Sequence, residues 1–297
     1  MTLLTYQIFK TVADMGSFHK AADVLGLTPS AISHAISSME NELGFTVLTR
    51  NKSGVTLTGY GEHLLPYINA VLNCDESLQQ VVAEFKGLKR GKVRVGTFAS
   101  VCSNWIPQII TSFREKYPAI TIELYQGTYD DVSYWIKNGI VDFGFLSTSS
   151  AGDLPISPFY LDPLLCVVPH GFRKEDSSGS MTVHEMAKHQ FVVQAKSTDA
   201  DVQIYMKENH LEVNSSYHVS DDLSMITMVE NGLGICIIPA LTAEKIMDKA
   251  KVDVYPVEPA ASRMIGLSAL NPKSMAPAVR TLYNHIIETY QNTAQDA

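Results

Sequence analysis

The sequence predicts an α+β module joined to an α/β body: an N-terminal winged helix-turn-helix, a long linker helix, and a two-lobed α/β domain. Three observations carry this. Residues 16–44, GSFHKAADVLGLTPSAISHAISSMENELG, read as two short helices about a tight turn. An apolar heptad seam runs through residues 58–86. From Val93 onward, strand-like and helix-like runs alternate in an order that leaves one α/β unit, builds another, and returns.

The first helix is expected from Thr2 to Met15, where Leu4, Ile8, Phe9, Val12 and Ala13 recur at helical spacing. Gly16 suits its end and Ser17 the N-cap of the next helix, Phe18 to Leu25. There Ala21 and Ala22 leave room for a neighbouring helix, and Gly26 closes the segment. Thr28-Pro29 restarts a helix with a capping hydroxyl and a proline at the first helical position. This third helix runs to about Leu43, with Ile32, Ile36, Met39 and Leu43 inward and Ser30, Ser33, His34 and Ser37 outward. Val47-Leu48 and Val55-Leu57 then bracket a basic turn, Arg50 to Gly54 with Lys52 in it, which reads as a β-hairpin wing.

Thr58 caps a long helix to about Lys86. Leu64, Ile68, Val71, Asp75, Leu78, Val82 and Phe85 alternate by four and three, the pattern of a helix that meets a partner helix. Pro66 is expected to kink it, and Gly87 to Lys92 form a charged hinge. VRVGTF, ITIELYQG and VDFGFLS read as strands separated by helices at Asn104–Tyr117 and Asp130–Asn138, a parallel βαβαβ unit. A second unit starts near Asp162, with strands PLLCVVP, FVVQ, YHVS and GICIIP and helices at Asp199–Asn209 and Asp222–Asn231. MIGLSAL and the helix Ala276–Gln291 return to the first lobe. The expected domains are therefore 1–58, 59–91 and 92–297. Within the last, one lobe takes about 92–161 and 264–297, and the other about 162–263.

Composition narrows the function classes. A chain of 297 residues is long enough for about two or three domains, and 45% apolar with 18% charged is ordinary for a soluble globular protein. No apolar run approaches the ~20 residues of a membrane span. MTLLTYQIFKTVADMG has neither a basic leader nor a small-residue cleavage site, so a cytoplasmic location is expected. The four cysteines (Cys74, Cys102, Cys166, Cys236) lack metal or redox-motif spacing and read as reduced thiols. A net charge of −8 argues against a protein that coats nucleic acid. Residues 1–58 hold four basic and four acidic side chains, so the remaining 239 residues, with 19 basic and 27 acidic, carry the whole imbalance.

Phe9-x-x-Val12-Ala13, Gly16-Ser17-Phe18, Ala21-Ala22-x-x-Leu25, Ser30-Ala31-Ile32-Ser33, Ile36, Glu42-Leu43-Gly44, Leu48-x-Arg50 and Leu57-Thr58-x-x-Gly61 follow one another in an order and spacing that resemble the LysR-type transcriptional regulators. The resemblance covers the whole chain. It implies a winged helix-turn-helix that binds double-stranded promoter DNA, a dimerising linker helix, and an effector domain resembling type 2 periplasmic binding proteins. It further implies a bacterial, homodimeric or homotetrameric regulator that works with RNA polymerase and needs no cofactor beyond a small-molecule effector. The chain departs from the family pattern where arginine and glutamine are common and His34 and Ala35 stand, and where Ser53 replaces a second basic wing residue.

The expected DNA contacts are Ser17, Thr28, Pro29, Ser30, Ser33, His34, Ser37, Arg50 and Lys52. Hydroxyls and the imidazole reach base edges or phosphates, and the two cations hold phosphate. A solvated helix face is the plainer alternative. For the effector, open α/β sheets bind ligands beyond their strand ends. That singles out Ser100, Val101 and Cys102, then Gln126 and Thr128, then Leu146 and Ser147, and across the cleft Lys196, Ser197 and Thr198. The resemblance assigns Ser100, Val101, Thr128 and the 196–198 loop to effector contact. Facing helix N-termini and Lys196 suggest a small anion. Expected partner-helix contacts are Leu64, Ile68, Val71, Leu78, Val82 and Phe85. Competing readings are a transporter's solute-binding protein without a DNA role, and a thiol-based redox regulator using Cys102. An enzyme is not expected. A triad of Ser100 with Asp142 and His170 or His218 lacks a nucleophile elbow, and no phosphate loop or metal spacing is present.

Overall fold

A computed structural model describes residues 1–51, 54–87, 89–173, 179–194, 200–213, 215–247 and 251–291. The chain forms two compact units, Met1–Leu88 with Lys137–Ile140, and Lys89–Ile136 with Val141–Ala297.

In the first unit, α1 (Leu3–Met15), α2 (Phe18–Leu25) and α3 (Pro29–Leu43) precede a hairpin of β1 (Leu48–Asn51) and β2 (Gly54–Leu57), followed by α4 (Gly59–Phe85). Local chemistry sets each boundary. Thr2, Ser17, Thr28 and Thr58 cap the four helices with their hydroxyls, and Gly16, Gly26 and Gly44 end the first three in left-handed conformation. Phe9, Val12, Ala21, Ile32, Ile36 and Val47 are completely buried in one core. The Glu40 carboxylate accepts from Val47 N–H at 2.9 Å, tying the hairpin's approach to α3. The hairpin pairs Leu48 with Leu57 and Arg50 with Val55.

α4 continues through Pro66, and the expected seam divides. Ile68 is 5% exposed and packs, with Leu64, into the core of its own unit. The pattern placed these two against a partner, but they close the winged module instead. Val71, Leu78, Val82 and Phe85 remain exposed.

The second unit contains β3 (Gly91–Thr97), α5 (Ala99–Asn104), α6 (Ile106–Lys116), β4 (Ile120–Gln126), α7 (Tyr129–Lys137), β5 (Phe143–Ser147) and β6 (Ile156–Pro169). It continues with β7 (Met181–Thr182), α8 (Val183–Met186), β8 (Val192–Gln194), α9 (Ala200–Glu208), β9 (Tyr217–Val219), α10 (Asp222–Glu230) and β10 (Cys236–Pro239). The final elements are α11 (Ala240–Met247), β11 (Val252–Glu258), β12 (Ser262–Ser268) and α12 (Pro277–Gln291). β3 pairs in parallel with β4 and β5, and β12 closes on β5 antiparallel. β6 is a single strand serving both lobes. Ile156 to Pro163 pair with β12, whereas Leu164 onward pairs with β10 on one side and β11 on the other. The packing changes at the same place, from a core holding Phe143, Phe145 and Ile265 to one holding Leu164, Cys166 and Phe191.

Candidate functional site

Two concavities, one in each unit, hold eight of the nineteen DNA-contact and effector-contact candidates. The first is a groove of about 880 Å³ between the starts of α2 and α3 and the wing. Ser17, Phe18, His19, Lys20, Pro29, Ser30, Ser33, Arg50 and Asn51 are among its lining residues. Its width is set by main chain: Val55 N–H donates to Gly16 O at 2.9 Å, joining the wing to the α1–α2 turn. Gly54 permits this approach, since its φ is +133° and a Cβ there would stand 2.8 Å from Gly16 O.

Arg50 is held rather than loose. Its guanidinium lies 4.3 Å from the Phe18 ring centre, and Nη1 donates to Ser33 Oγ at 3.3 Å. Thr28 Oγ1 accepts from Ala31 N–H and shares a 3.0 Å hydrogen bond with Ser30, so much of its bonding capacity serves the helix cap. Ser17 likewise accepts from Lys20 N–H. His34 and Ser37 are exposed on α3 but are not among the residues lining the groove. Lys52 lies outside the described residues. His19 and Lys20 were not singled out from sequence, although their position in the first turn after the Ser17 cap was a usable signal.

The second concavity, about 290 Å³, lies between the lobes of the second unit. Ser100, Gln126, Thr128, Tyr129, Asp131, Gln194, Asp221, Asp222, Thr242 and Arg263 are among its lining residues. Its floor is a buried charge network. Arg263, 3% exposed, donates from Nε to Asp162 Oδ2 at 2.8 Å, from Nη1 to Tyr129 Oη at 2.8 Å and from Nη2 to Ser100 Oγ at 2.8 Å. The other Asp162 oxygen accepts from Leu241 N–H at 2.9 Å. Burial pushes the Asp162 carboxyl up, against the opposing pull of Arg263 and that N–H.

Several candidate residues play other parts. α5 starts at Ala99, earlier than sequence suggested, so Ser100 to Cys102 are helical and point in different directions. Ser100 reaches the cavity. Val101 is completely buried in the lobe core. Thr128 lines the cavity, yet its hydroxyl donates to Asp131 Oδ2 at 2.8 Å, within the turn that starts α7. Leu146 is core, not cleft. Ser147 and Ser149 both donate to Asp201 Oδ1, at 2.8 and 2.6 Å, forming a clasp between β5 and α9. Lys196, Ser197 and Thr198 lie outside the described residues.

Sequence reasoning missed Arg263, Tyr129, Gln194, Thr242 and the Asp221-Asp222 pair as cleft residues. A charged side chain inside an apolar strand, such as Arg263 or Asp162, was the available signal.

All four cysteines are free thiols. Burial raises the Cys102 thiol above its ordinary range, opposite to what a reactive thiolate needs. Cys166 is pushed up to about 12. Cys236 is raised further by burial and packs in a different core cluster from Cys166. The imagined triad does not form either: Asp142 accepts from Arg94 N–H, and His170 pairs with Asp253 at 2.9 Å.

The model of the bacterial regulatory helix-turn-helix protein, lysR family, matches residues 3–62, and that of the LysR substrate binding domain matches residues 86–291. The chain is similar to the uncharacterized HTH-type transcriptional regulator YvbU of Bacillus subtilis, 26% identical over 94% of this chain and 96% of that one. Among solved structures, full-length OxyR C199D from Pseudomonas aeruginosa aligns with a TM-score of 0.79 at 19% identity, over 96% of this chain and 94% of that one. CbnR complexed with its target DNA aligns with a TM-score of 0.66 at 17% identity, over 97% of this chain and all of that one.

Proposed function

We propose, from the premise that this chain belongs to the LysR family of transcriptional regulators, that its groove beside α3 binds specific promoter DNA and its cleft binds the controlling effector. The observation that carries the DNA reading is the groove's charge. His19, Lys20 and Arg50 line it, while no described carboxylate does, although residues 1–58 sum to zero. Three of the four acidic side chains of residues 1–58 are used elsewhere: Lys10 pairs with Asp14 at 2.5 Å, Glu42 with the N-terminal ammonium, and Glu40 with Val47 N–H. A neutral module thereby offers phosphate a cationic, hydroxyl-rich surface.

In this reading Arg50 grips backbone phosphate, Ser30 and Ser33 approach the duplex beside it, and His34 and Ser37 face bases along α3. The exposed stripe of α4 brings copies together as a homodimer or homotetramer, which supplies the affinity one cation-poor module lacks. RNA polymerase is the downstream partner, and the cytoplasm the site of action. An effector preferring one arrangement of the lobes shifts the regulator by its difference in affinity between arrangements.

A gel shift with duplex from upstream of its own coding region tests this. Arg50→Ala should weaken binding to every operator variant alike, roughly tenfold for one charge-assisted contact of about 1.5 kcal/mol. The salt slope should fall by about 1. His34→Ala should instead change the ranking of operator variants. Uniform losses for both substitutions would refute these roles, and no shift by the unaltered protein would refute DNA binding at this groove.

A further inference from the structure

The cavity between the lobes has the opposite charge character to the DNA groove. Its described lining includes three carboxylates, Asp131, Asp221 and Asp222, and one cation, Arg263. That cation is already matched, because Asp162 receives two of its nitrogens, at 2.8 and 2.7 Å, in a buried pair. The three carboxylates are instead oriented by neutral donors: Thr128 N–H and hydroxyl on Asp131, Ser224 N–H on Asp221, and the Gln194 amide on Asp222. With its nitrogen turned to Asp222, Gln194 leaves its carbonyl oxygen buried and without a donor.

Of the helix starts that line the cavity, α7 and α10 carry their own acids, whereas α5, which begins at Ala99, has none in its first turn. α7 opens with Asp130 and Asp131, α9 has Asp201 in its first turn, and α10 has Asp221 as cap and Asp222 next. At α7 and α10 the chain's own carboxylates thus answer the helix dipoles that would otherwise favour an anion.

We propose that the effector of this cleft is a small aliphatic amine, its ammonium group held by Asp221 and Asp222 with Asp131 opposite. This rests on the cleft being the effector site. Hydrogen bonds from Ser224 hold Asp221 below the usual carboxylate range, keeping it ionised at neutral pH. Burial pushes Asp222 up against the opposing pull of Arg263, a penalty that a further positive charge in the cavity relieves. The amine's hydrogens also supply donors to a wall rich in acceptors.

The test uses the full chain and three compounds of equal chain length: putrescine, γ-aminobutyrate and succinate. Each is titrated calorimetrically and by thermal shift, and its effect on the operator gel shift is recorded. Putrescine is expected to bind and to alter the DNA complex, succinate to do neither, and γ-aminobutyrate to fall between. Asp221→Asn retains a good helix cap, and Asp222→Asn retains a polar partner for Gln194. Each should weaken putrescine at least about tenfold, the loss of roughly 1.4 kcal/mol of charge-assisted bonding, with the melting of the unliganded protein serving as the folding control. Ser220 is exposed and lines the cavity, so Ser220→Trp should block binding by occupying the entrance.

Binding by succinate alone, blocked by Ser220→Trp, overturns the amine assignment and leaves the cleft as effector site. Absence of binding by either amine also overturns the assignment. Amine binding that survives Ser220→Trp overturns the cleft itself as the site.

Discussion

Asp162 in β6 and Arg263 in β12 are charged residues inside strands whose neighbours are largely apolar, and each explains the other. The buried guanidinium of Arg263 is accommodated because Asp162, Tyr129 and Ser100 receive its N–H groups. Ser100, a residue of the cavity, is thereby tied to the strand pair that passes between the lobes. Asp162→Asn leaves the guanidinium buried without its counter-charge. Urea unfolding of the second unit should show a loss of about 3–5 kcal/mol, and a loss below about 1 kcal/mol would show that the pair is not the floor's main anchor. Sequence singles out Ser100, which lines the cavity, but pairs it with Val101, which faces the core. The error arose from reading the segment as loop; on a helix, successive residues point about 100° apart.

Elements with chemically distinct ends were the easiest to read. Ser17, Thr28-Pro29 and the glycines at 16, 26 and 44 mark three helices through interactions a few residues long, and the structure places those boundaries accordingly. β6 was harder. The sequence reading covers only its second half, PLLCVVP, whereas Pro158 and Pro163 take register positions opposite Gly266 and Ser262 in one continuous strand. β11 and α11 were passed over, the former because Pro256 breaks its alternation and the latter because it follows Pro239 without a separating turn.

At the junction of wing and α4, Gly61 is fixed by proximity. A Cβ there would lie 2.1 Å from Val47 O, whereas one on Gly59 meets nothing within 4 Å. Gly61→Ala should therefore cost about 1–3 kcal/mol through overpacking, while Gly59→Ala should be neutral or slightly stabilising. Equal melting temperatures for the two variants would contradict this account of the junction.

Across the whole molecule, local sequence revealed the classes of structure, while chain crossings determined which distant residues met. Tyr129, Gln194, Asp221-Asp222, Thr242 and Arg263 come from different segments and share one cavity. No local pattern announces that meeting. The α4 stripe is another whole-molecule property, since Val71 at 42% and Leu78 at 58% exposure lie on a face that the single chain leaves uncovered. Val71→Glu with Leu78→Glu should convert the assembly to monomers in sedimentation velocity and reduce operator affinity at equal subunit concentration. A double variant that still sediments as the unaltered protein would move the assembly contact elsewhere. The bond from Val55 N–H to Gly16 O has a longer-term consequence. Because main chain fixes the wing's position, outward α3 side chains such as His34 and Ser37 are released from holding it there, whereas Ser33 keeps its bond to Arg50. Descendants of such a protein can exchange those side chains and acquire new operators while retaining the same way of seating on the duplex.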